Sequence, residues 1–415
     1  MSNTITYKLL DMKTQDNQDG KGQSRRNFIK QSGTVGAGMM LMGSVPLFAN
    51  SKNEEEKEII DMTKNIKTKG YAAKDESGKL SPWEFERRPV GDDDILIDIK
   101  FASICHSDIH QEKGHWGKQQ YPQVPGHEIV GVVAAVGKNV TKFKVGDRAG
   151  VGCMVDSCME CDSCTHGEEH FCERGQTLFT YGNKTEAEPT GISQGGYSDK
   201  IVVRDHFAVH IPEHISFQEA APLLCAGITT YSPLMDAQLK VGEKVGVAGI
   251  GGLGHMAVKL AVSKGAEVYA FTTSADKVED IKSWGVKEVI VVDEAFKNMQ
   301  AYSKTLDYMI CTIPYQFNVT PYVMCLKPGG TFTFVGMPEG SEITINNLML
   351  AFARVNFNAS LIGGIPETQE VVHYCADNGV KPSIEIIDAN QINDAWDKVV
   401  NKEARYRYVI DASTF

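Results

Sequence analysis

The sequence predicts an α/β protein in which a β-rich, barrel-like domain is joined to an open, doubly wound parallel sheet. Three observations predict it. From Tyr71 to about Val209, short β-branched runs are broken by Gly, Pro and Asp, the rhythm of short strands with frequent turns. From about Ala226 apolar strands alternate with helices, which implies a parallel sheet with helices on both faces. Just after that change, Gly249-Ile250-Gly251-Gly252-Leu253-Gly254 satisfies G-x-G-x-x-G between a strand and a helix, the setting in which this loop cradles a pyrophosphate.

Residues 1–50 stand apart from both domains. Ser24 to Lys30 reads SRRNFIK, and an uncharged Gly- and Met-rich stretch runs from Gln31 to Ala49. Paired arginines before a weakly apolar run resemble a twin-arginine export signal. Ser24, Arg25, Arg26, Phe28, Ile29 and Lys30 fit its consensus; the alternative is an amphipathic N-terminal helix. Ala49 suits a cleavage site but Leu47 is bulky for its place, so cleavage and an uncleaved membrane anchor both stay open. A used signal implies a periplasmic protein, an unused one a cytoplasmic protein. Residues 51–69 are rich in Lys and Glu and read as a linker.

In the first domain (70–225), Ile95–Ile99, Ile129–Val136 and Tyr197–Val203 read as strands. In the second (226–364), Val245–Gly249 is a short apolar strand, Gly254–Lys264 an amphipathic helix, Val268–Phe271 a strand and Asp276–Trp284 a helix. Val289–Val292, Tyr308–Cys311 and Thr331–Val335 continue the strands.

Charge narrows the partners. The 415 residues carry a formal −11, against the basic face that nucleic acid needs. Six basic and three acidic residues fall within 1–50, a net of +3, which leaves the remainder at −14. No uninterrupted apolar run reaches the roughly 18–20 residues of a spanning helix.

The glycines of the loop permit a tight turn and close backbone approach, and the following helix N-terminus offers free N–H groups; a non-binding glycine turn is the alternative. An NAD site usually places Asp or Glu at the end of the next strand. Here that end reads Phe271-Thr272-Thr273-Ser274, with Lys277 on the next turn. Hydroxyls and a lysine suit a 2′-phosphate, so NADP is expected, and Asp276 is the one nearby acid opposing it.

Ten cysteines are many for such a chain. Cys158, Cys161, Cys164 and Cys172 form C-x2-C-x2-C-x7-C, a closed tetrahedral set for structural zinc. A disulfide pair and an iron–sulfur centre are the alternatives. Cys105, in Cys-His-Ser-Asp-Ile-His, and His127, in Pro-Gly-His-Glu, stand with Cys225 as a dispersed set. Two thiolates and one imidazole leave a fourth position open, the pattern of a catalytic zinc. Spacing alone does not join them, because they lie 22 and 98 residues apart, and Cys225 by itself reads as a core cysteine. Cys153, Cys311, Cys325 and Cys375 read as buried apolar residues.

From about Tyr71 to Asp411 the chain resembles the zinc-dependent medium-chain dehydrogenases, and within them the cinnamyl-alcohol-dehydrogenase-like group. The carriers are CHSDIH (Cys105–His110), HWGKQQYPQVPGHEIVGVV (His115–Val133), VGDRAGVG (Val145–Gly152), the four-cysteine lobe, GGYSDKIVV (Gly195–Val203), PLLCAGITTY (Pro222–Tyr231), GIGGLGHMAVKLA (Gly249–Ala261) and RYRYVID (Arg405–Asp411). The resemblance implies a GroES-like catalytic domain interrupted by a Rossmann NADP-binding domain, with 365–415 returning to the first. It implies two zinc ions per chain, Cys225 as a catalytic-zinc ligand and Glu128 as an exchanging one. Ser107 and His110 match a proton relay, Thr229 a cofactor contact and Trp116 an aromatic of the substrate pocket. The plainer readings are a turn hydroxyl for Ser107, a surface histidine for His110, a core tryptophan for Trp116 and a structural acid for Glu128. Asp108 is expected to orient a ligand imidazole; His106 serves the site or local packing.

The expected function is hydride transfer between NADP(H) and a primary alcohol or aldehyde, aromatic or apolar, in a homodimer or homotetramer. NADPH preference with an apolar pocket favours aldehyde reduction. Two alternatives stand: a catalytically silent NADP- and zinc-binding redox sensor, and a zinc-free quinone-reductase-like oxidoreductase. Export conflicts with cytoplasmic recycling of NADP(H). A retained cofactor served by another redox partner would resolve this, and so would an unused signal.

Overall fold

In a computed structural model of the protein, residues 61–338 and 342–415 are described. The twin-arginine stretch and residues 51–60 lie outside the described residues. β1 (Ile66–Ala73) pairs antiparallel with β2 (Leu80–Arg87) as a two-stranded ribbon. β1 starts inside the segment expected as linker: Ile66, Thr68 and Gly70 are buried in alternation, as one face of a strand requires.

The first sheet is built around β3 (Asp94–Ser103) and β4 (Ile129–Val136), with β5 (Arg148–Val151) beside β4. β6 (Met154–Asp156) and β7 (Leu178–Phe179) pair at the base of the four-cysteine lobe. β8 (Lys200–Arg204) pairs with β3, and β9 (Ala208–His210) with β5. β8 begins three residues later than the sequence predicts. Tyr197 and Ser198 turn aside: the Tyr197 N–H donates to the Pro125 carbonyl at 2.9 Å, and Ser198 bridges Gly70 of β1.

Six strands then form an all-parallel sheet: β10 (Lys244–Ala248), β11 (Glu267–Thr272), β12 (Glu288–Val291), β13 (Leu306–Cys311), β14 (Leu326–Phe334) and β15 (Asn356–Ala359). Their order is β12-β11-β10-β13-β14-β15, so the winding reverses between β10 and β13. In such sheets the crevice beyond the strand ends at the reversal is where ligands bind. β10 is buried from Val245 to Ala248, as a central parallel strand covered on both faces should be.

The helix Ile365–Asn378 begins on Pro366 and ends on Gly379 at φ 66, a pre-set start and a left-handed stop. The chain then returns to the first sheet. β16 (Ile384–Ile387) lies beside β17 (Arg407–Asp411), and β17 pairs antiparallel with β3. Among the described residues no helix is long and apolar enough to cross a membrane.

Candidate active site

β3 leads directly into the site. Cys105 caps the helix His106–Glu112, and its N–H donates to Asp108 Oδ2 at 2.9 Å. His127 and Glu128 immediately precede β4, and Cys225 precedes the helix Ala226–Asp236. Strand ends and a helix start thus bring together residues far apart in sequence. One donor atom from each of Cys105, His127, Glu128 and Cys225 lies within 4.8 Å of the others, all four buried. Cys105 Sγ and Cys225 Sγ are 4.0 Å apart. Two thiolates on one tetrahedral zinc stand about 3.8 Å apart, so this donor set fits the ion. The fit extends to Glu128: one carboxylate oxygen pairs with Arg407, and Oε1 is buried without a partner.

Asp108 is buried and accepts four donors: the Cys105 N–H, His127 Nδ1 at 2.9 Å, and the hydroxyls of Tyr181 and Tyr197 at 2.8 Å each. Holding the proton on His127 Nδ1 leaves Nε2 as the coordinating atom. Burial, then the Asp108 charge, pushes both phenols well above their usual range, which keeps them protonated as donors. The sequence reading missed both tyrosines; Tyr197 stood in the quoted GGYSDKIVV, read there as strand.

The lobe places its four sulfurs within 4.8 Å of one another, with Cys158–Cys164 at 3.7 Å and Cys161–Cys172 at 3.9 Å. Backbone N–H groups of Cys161 and Glu173 donate to Cys158 and Cys161 sulfurs. All ten cysteines are unpaired. Glu169, buried in the lobe, accepts from His206 Nε2 at 2.6 Å and from the Ile365 N–H at 3.0 Å, tying the lobe to the helix Ile365–Asn378.

A cavity of about 570 Å³ lies between the two sheets. Cys105, Ser107, His110, Trp116, His127, Cys225 and Thr229 line it on one side; Gly249, Gly251, Gly252, Leu253, Thr272, Thr273, Ser274 and Lys277 line it on the other. Gly254 sits behind, opening the helix Gly254–Ser263. A Cβ there would stand 1.9 Å from the Gly249 carbonyl, whereas Gly251 faces open space. Gly249 itself holds φ 87, a conformation that favours glycine. Cys153 departs from the expected buried class. It is half-buried and lines the cavity, because its turn after β5 faces the Cys225 segment.

Lys277 is buried at the end of the crevice, its Nζ donating to the Ile250 carbonyl at 3.2 Å. Burial, then repulsion from Arg405, pushes its ammonium down to about 8. Asp276, the acid set against NADP, is engaged by Arg405. Arg407 and Tyr406, which also line the cavity, were not singled out in the sequence, although both stand in the quoted RYRYVID. His110 stacks between His106 and Trp116, at centroid distances of 4.6 and 5.2 Å. Burial, then repulsion from His106 and His115, pushes its imidazole down to about 4.

Residues 91–213 match the alcohol dehydrogenase GroES-like domain, and residues 252–377 the zinc-binding dehydrogenase domain. The chain is 44% identical to NADP-dependent alcohol dehydrogenase C of Mycobacterium tuberculosis over 346 residues, 83% of this chain and 98% of that one. It is 44% identical to aldehyde reductase YahK of Escherichia coli over 351 residues, 84% and 99% of the two chains. Among solved structures, cinnamyl alcohol dehydrogenase of Helicobacter pylori complexed with NADP(H) superposes with a TM-score of 0.80 at 39% identity, covering 84% of this chain and 99% of that one.

Proposed function

This chain belongs to the medium-chain, zinc-type alcohol dehydrogenase family, and from that premise we propose that it is an NADP-dependent alcohol dehydrogenase working chiefly as an aldehyde reductase on apolar or aromatic substrates. One observation carries the reading: the Cys105–His127–Cys225 set and the Ser274–Lys277 crevice open into one cavity. When bound, zinc on Cys105, His127 and Cys225 supplies a Lewis acid for the substrate oxygen, and NADPH supplies the hydride.

The chain's own groups do the rest. Asp108 fixes the His127 tautomer. Glu128, with Oε1 unpartnered, is placed to exchange as a further ligand. Ser107 and His110 carry the proton between the reacting oxygen and the exterior, and at its low pKa His110 passes a proton without holding one. Trp116, Phe179 and Leu361 give the substrate end apolar walls. Gly249, Gly251 and Gly252 let the backbone approach the pyrophosphate, and Thr272, Thr273, Ser274 and Lys277 receive the 2′-phosphate. Thr229, beside Cys225 at 4.0 Å, contacts the nicotinamide end.

An aldehyde and alcohol panel run with NADPH and NADH in parallel tests this. NADPH-dependent reduction is expected, and a clear NADH preference would overturn the roles of Thr272, Thr273, Ser274 and Lys277. Metal analysis is expected to find two zinc ions per chain, the second in the four-cysteine lobe; a zinc-free active enzyme would favour the quinone-reductase alternative. Zinc-replete protein without turnover would favour a redox sensor. The exposed Leu348 and Phe352 beside the edge strand β15 support a homodimer. The SRRNFIK stretch supports export through the twin-arginine route, and purely cytosolic protein with an intact N-terminus on cell fractionation would refute it.

A further inference from the structure

The cofactor crevice carries an acid at its edge. Thr272, Thr273, Ser274 and Lys277 line the cavity, whereas Asp276, between the last two in sequence, does not. It sits on the single turn Ala275–Lys277 with its side chain 66% exposed. An acid at the end of this strand is what an NAD site employs. A carboxylate so near the place of a 2′-phosphate would repel it.

Arg405 meets that charge from the C-terminal return. Its Nη2 pairs with Asp276. Pairs near the surface are usually weak, because two long side chains must be held in one geometry. Arg405 is already held. Its Nη1 donates to the carbonyls of Lys402, Glu403 and Ala404 at 3.4, 3.0 and 3.2 Å, closing the turn that follows the helix Ile392–Val400. Tyr406 adds a second tie. Its hydroxyl donates to Asp280 Oδ2 at 3.2 Å, four residues beyond Asp276, and its ring lies 5.4 Å from Lys277 Nζ and lines the cavity. The charges acting on Lys277 are thereby balanced, Arg405 and Lys402 against Asp276 and Asp280. Arg405 itself does not line the cavity.

We propose that Arg405 determines cofactor preference: by pairing with Asp276 it cancels the carboxylate beside the place of the 2′-phosphate and so favours NADP(H) over NAD(H). The inference rests on the reading above that Thr272, Thr273, Ser274 and Lys277 receive that phosphate. Arg405 acts through Asp276, so it is a positioning residue and not a catalytic one. Three consequences follow from charge alone. Removing the guanidinium leaves an uncancelled negative charge beside the phosphate. Removing Asp276 leaves a surplus cation. Removing both restores the balance. The two residues lie 129 positions apart, so the strand end and its turn do not by themselves reveal the cancellation.

The test compares wild type with Arg405→Met, Asp276→Asn and the double variant, all full-length and zinc-replete. The probes are adenosine 2′,5′-bisphosphate and 5′-AMP, which differ only in the 2′-phosphate. They are titrated calorimetrically at pH 7, below the Lys277 pKa of about 8. Arg405→Met is expected to weaken the bisphosphate about fivefold, the top of the range for an exposed ion pair, and to leave 5′-AMP unchanged. KM for NADPH should rise by a similar factor while KM for NADH stays level. Asp276→Asn should tighten the bisphosphate, and the double variant should return to wild type. Unchanged bisphosphate affinity in Arg405→Met would overturn the proposal. So would a loss that the double variant keeps, because a guanidinium touching the phosphate directly predicts that result. Equal weakening of both probes would also overturn it, as the mark of a merely structural role. Equal affinity of wild type for the two probes would instead refute the underlying NADP reading of the crevice.

Discussion

Asp108 concentrates the residue-scale argument. A buried carboxylate needs its lone pairs satisfied, and here the Cys105 N–H, His127 and two tyrosines do so. Asp108→Asn would exchange an acceptor for a donor at one oxygen and weaken its hold on His127. Affinity of the catalytic site for zinc is expected to fall about 10- to 100-fold, read by competition with a chromophoric chelator. Lys277 carries a second prediction. With its pKa near 8, the free enzyme holds the ammonium below that pH and loses it above. KM for NADPH is expected to rise as pH passes 8, while KM for NADH stays level. Lys277→Arg should flatten the NADPH profile, because a guanidinium stays charged throughout. Lys277→Met should raise KM for NADPH about tenfold or more at pH 7, as expected when a charge-assisted contact worth about 1.5–3 kcal/mol is lost.

Among the elements, the four-cysteine lobe has a reach beyond its own loop. Glu169 joins it both to His206 and to the first turn of the helix Ile365–Asn378. Cys172→Ser is expected to leave one zinc per chain, lower the melting temperature and keep the catalytic ion, as read by metal analysis and calorimetry. Glu169→Ala keeps the sulfurs but strands the Ile365 N–H, at a cost of about 1–3 kcal/mol measurable by urea unfolding. Elements also show where the sequence was legible. The lobe could be read because its four cysteines share one short stretch and need no tertiary fold to be recognised. The crevice could be read because a glycine loop between a strand and a helix is a local signal. Cys105, His127 and Cys225 could be joined only through a family resemblance, since three separate element ends must meet before they form a set. Tyr197 and Arg407 stayed silent for the same reason. Their partners lie 89 and 279 residues away, and nothing near either residue announces a buried carboxylate.

For the whole molecule, the parallel sheet leaves β15 at its edge, with Leu348 63% and Phe352 75% exposed on the helix just before it. An edge strand beside exposed apolar side chains is open to pairing with a second copy. Phe352→Asp is expected to convert a dimer to a monomer in light scattering, with the thermal transition of the remaining fold changed little. At this scale the sequence read well: the strand–helix alternation identified the doubly wound sheet, and turn-broken short strands identified the other. The return of 365–415 to the first sheet was legible only through the family resemblance, because β17 joins β3 through a register that links residues 409–411 to 101–103.

That return sets an order of assembly. Among the strands described, β17 comes latest in the chain, and it brings the guanidinium that pairs with Glu128 and lies against Gly252. A growing chain on the ribosome therefore holds every thiol, imidazole and glycine of the cleft well before it holds the cation that compensates Glu128. Until Arg407 is added, Glu128 stands beside the thiols of Cys105 and Cys225 without that guanidinium. Synthesis of β17 thus supplies the charge that the cleft lacks until then, and a chain truncated before Arg407 would keep Cys105, His127, Glu128 and Cys225 yet lack that charge.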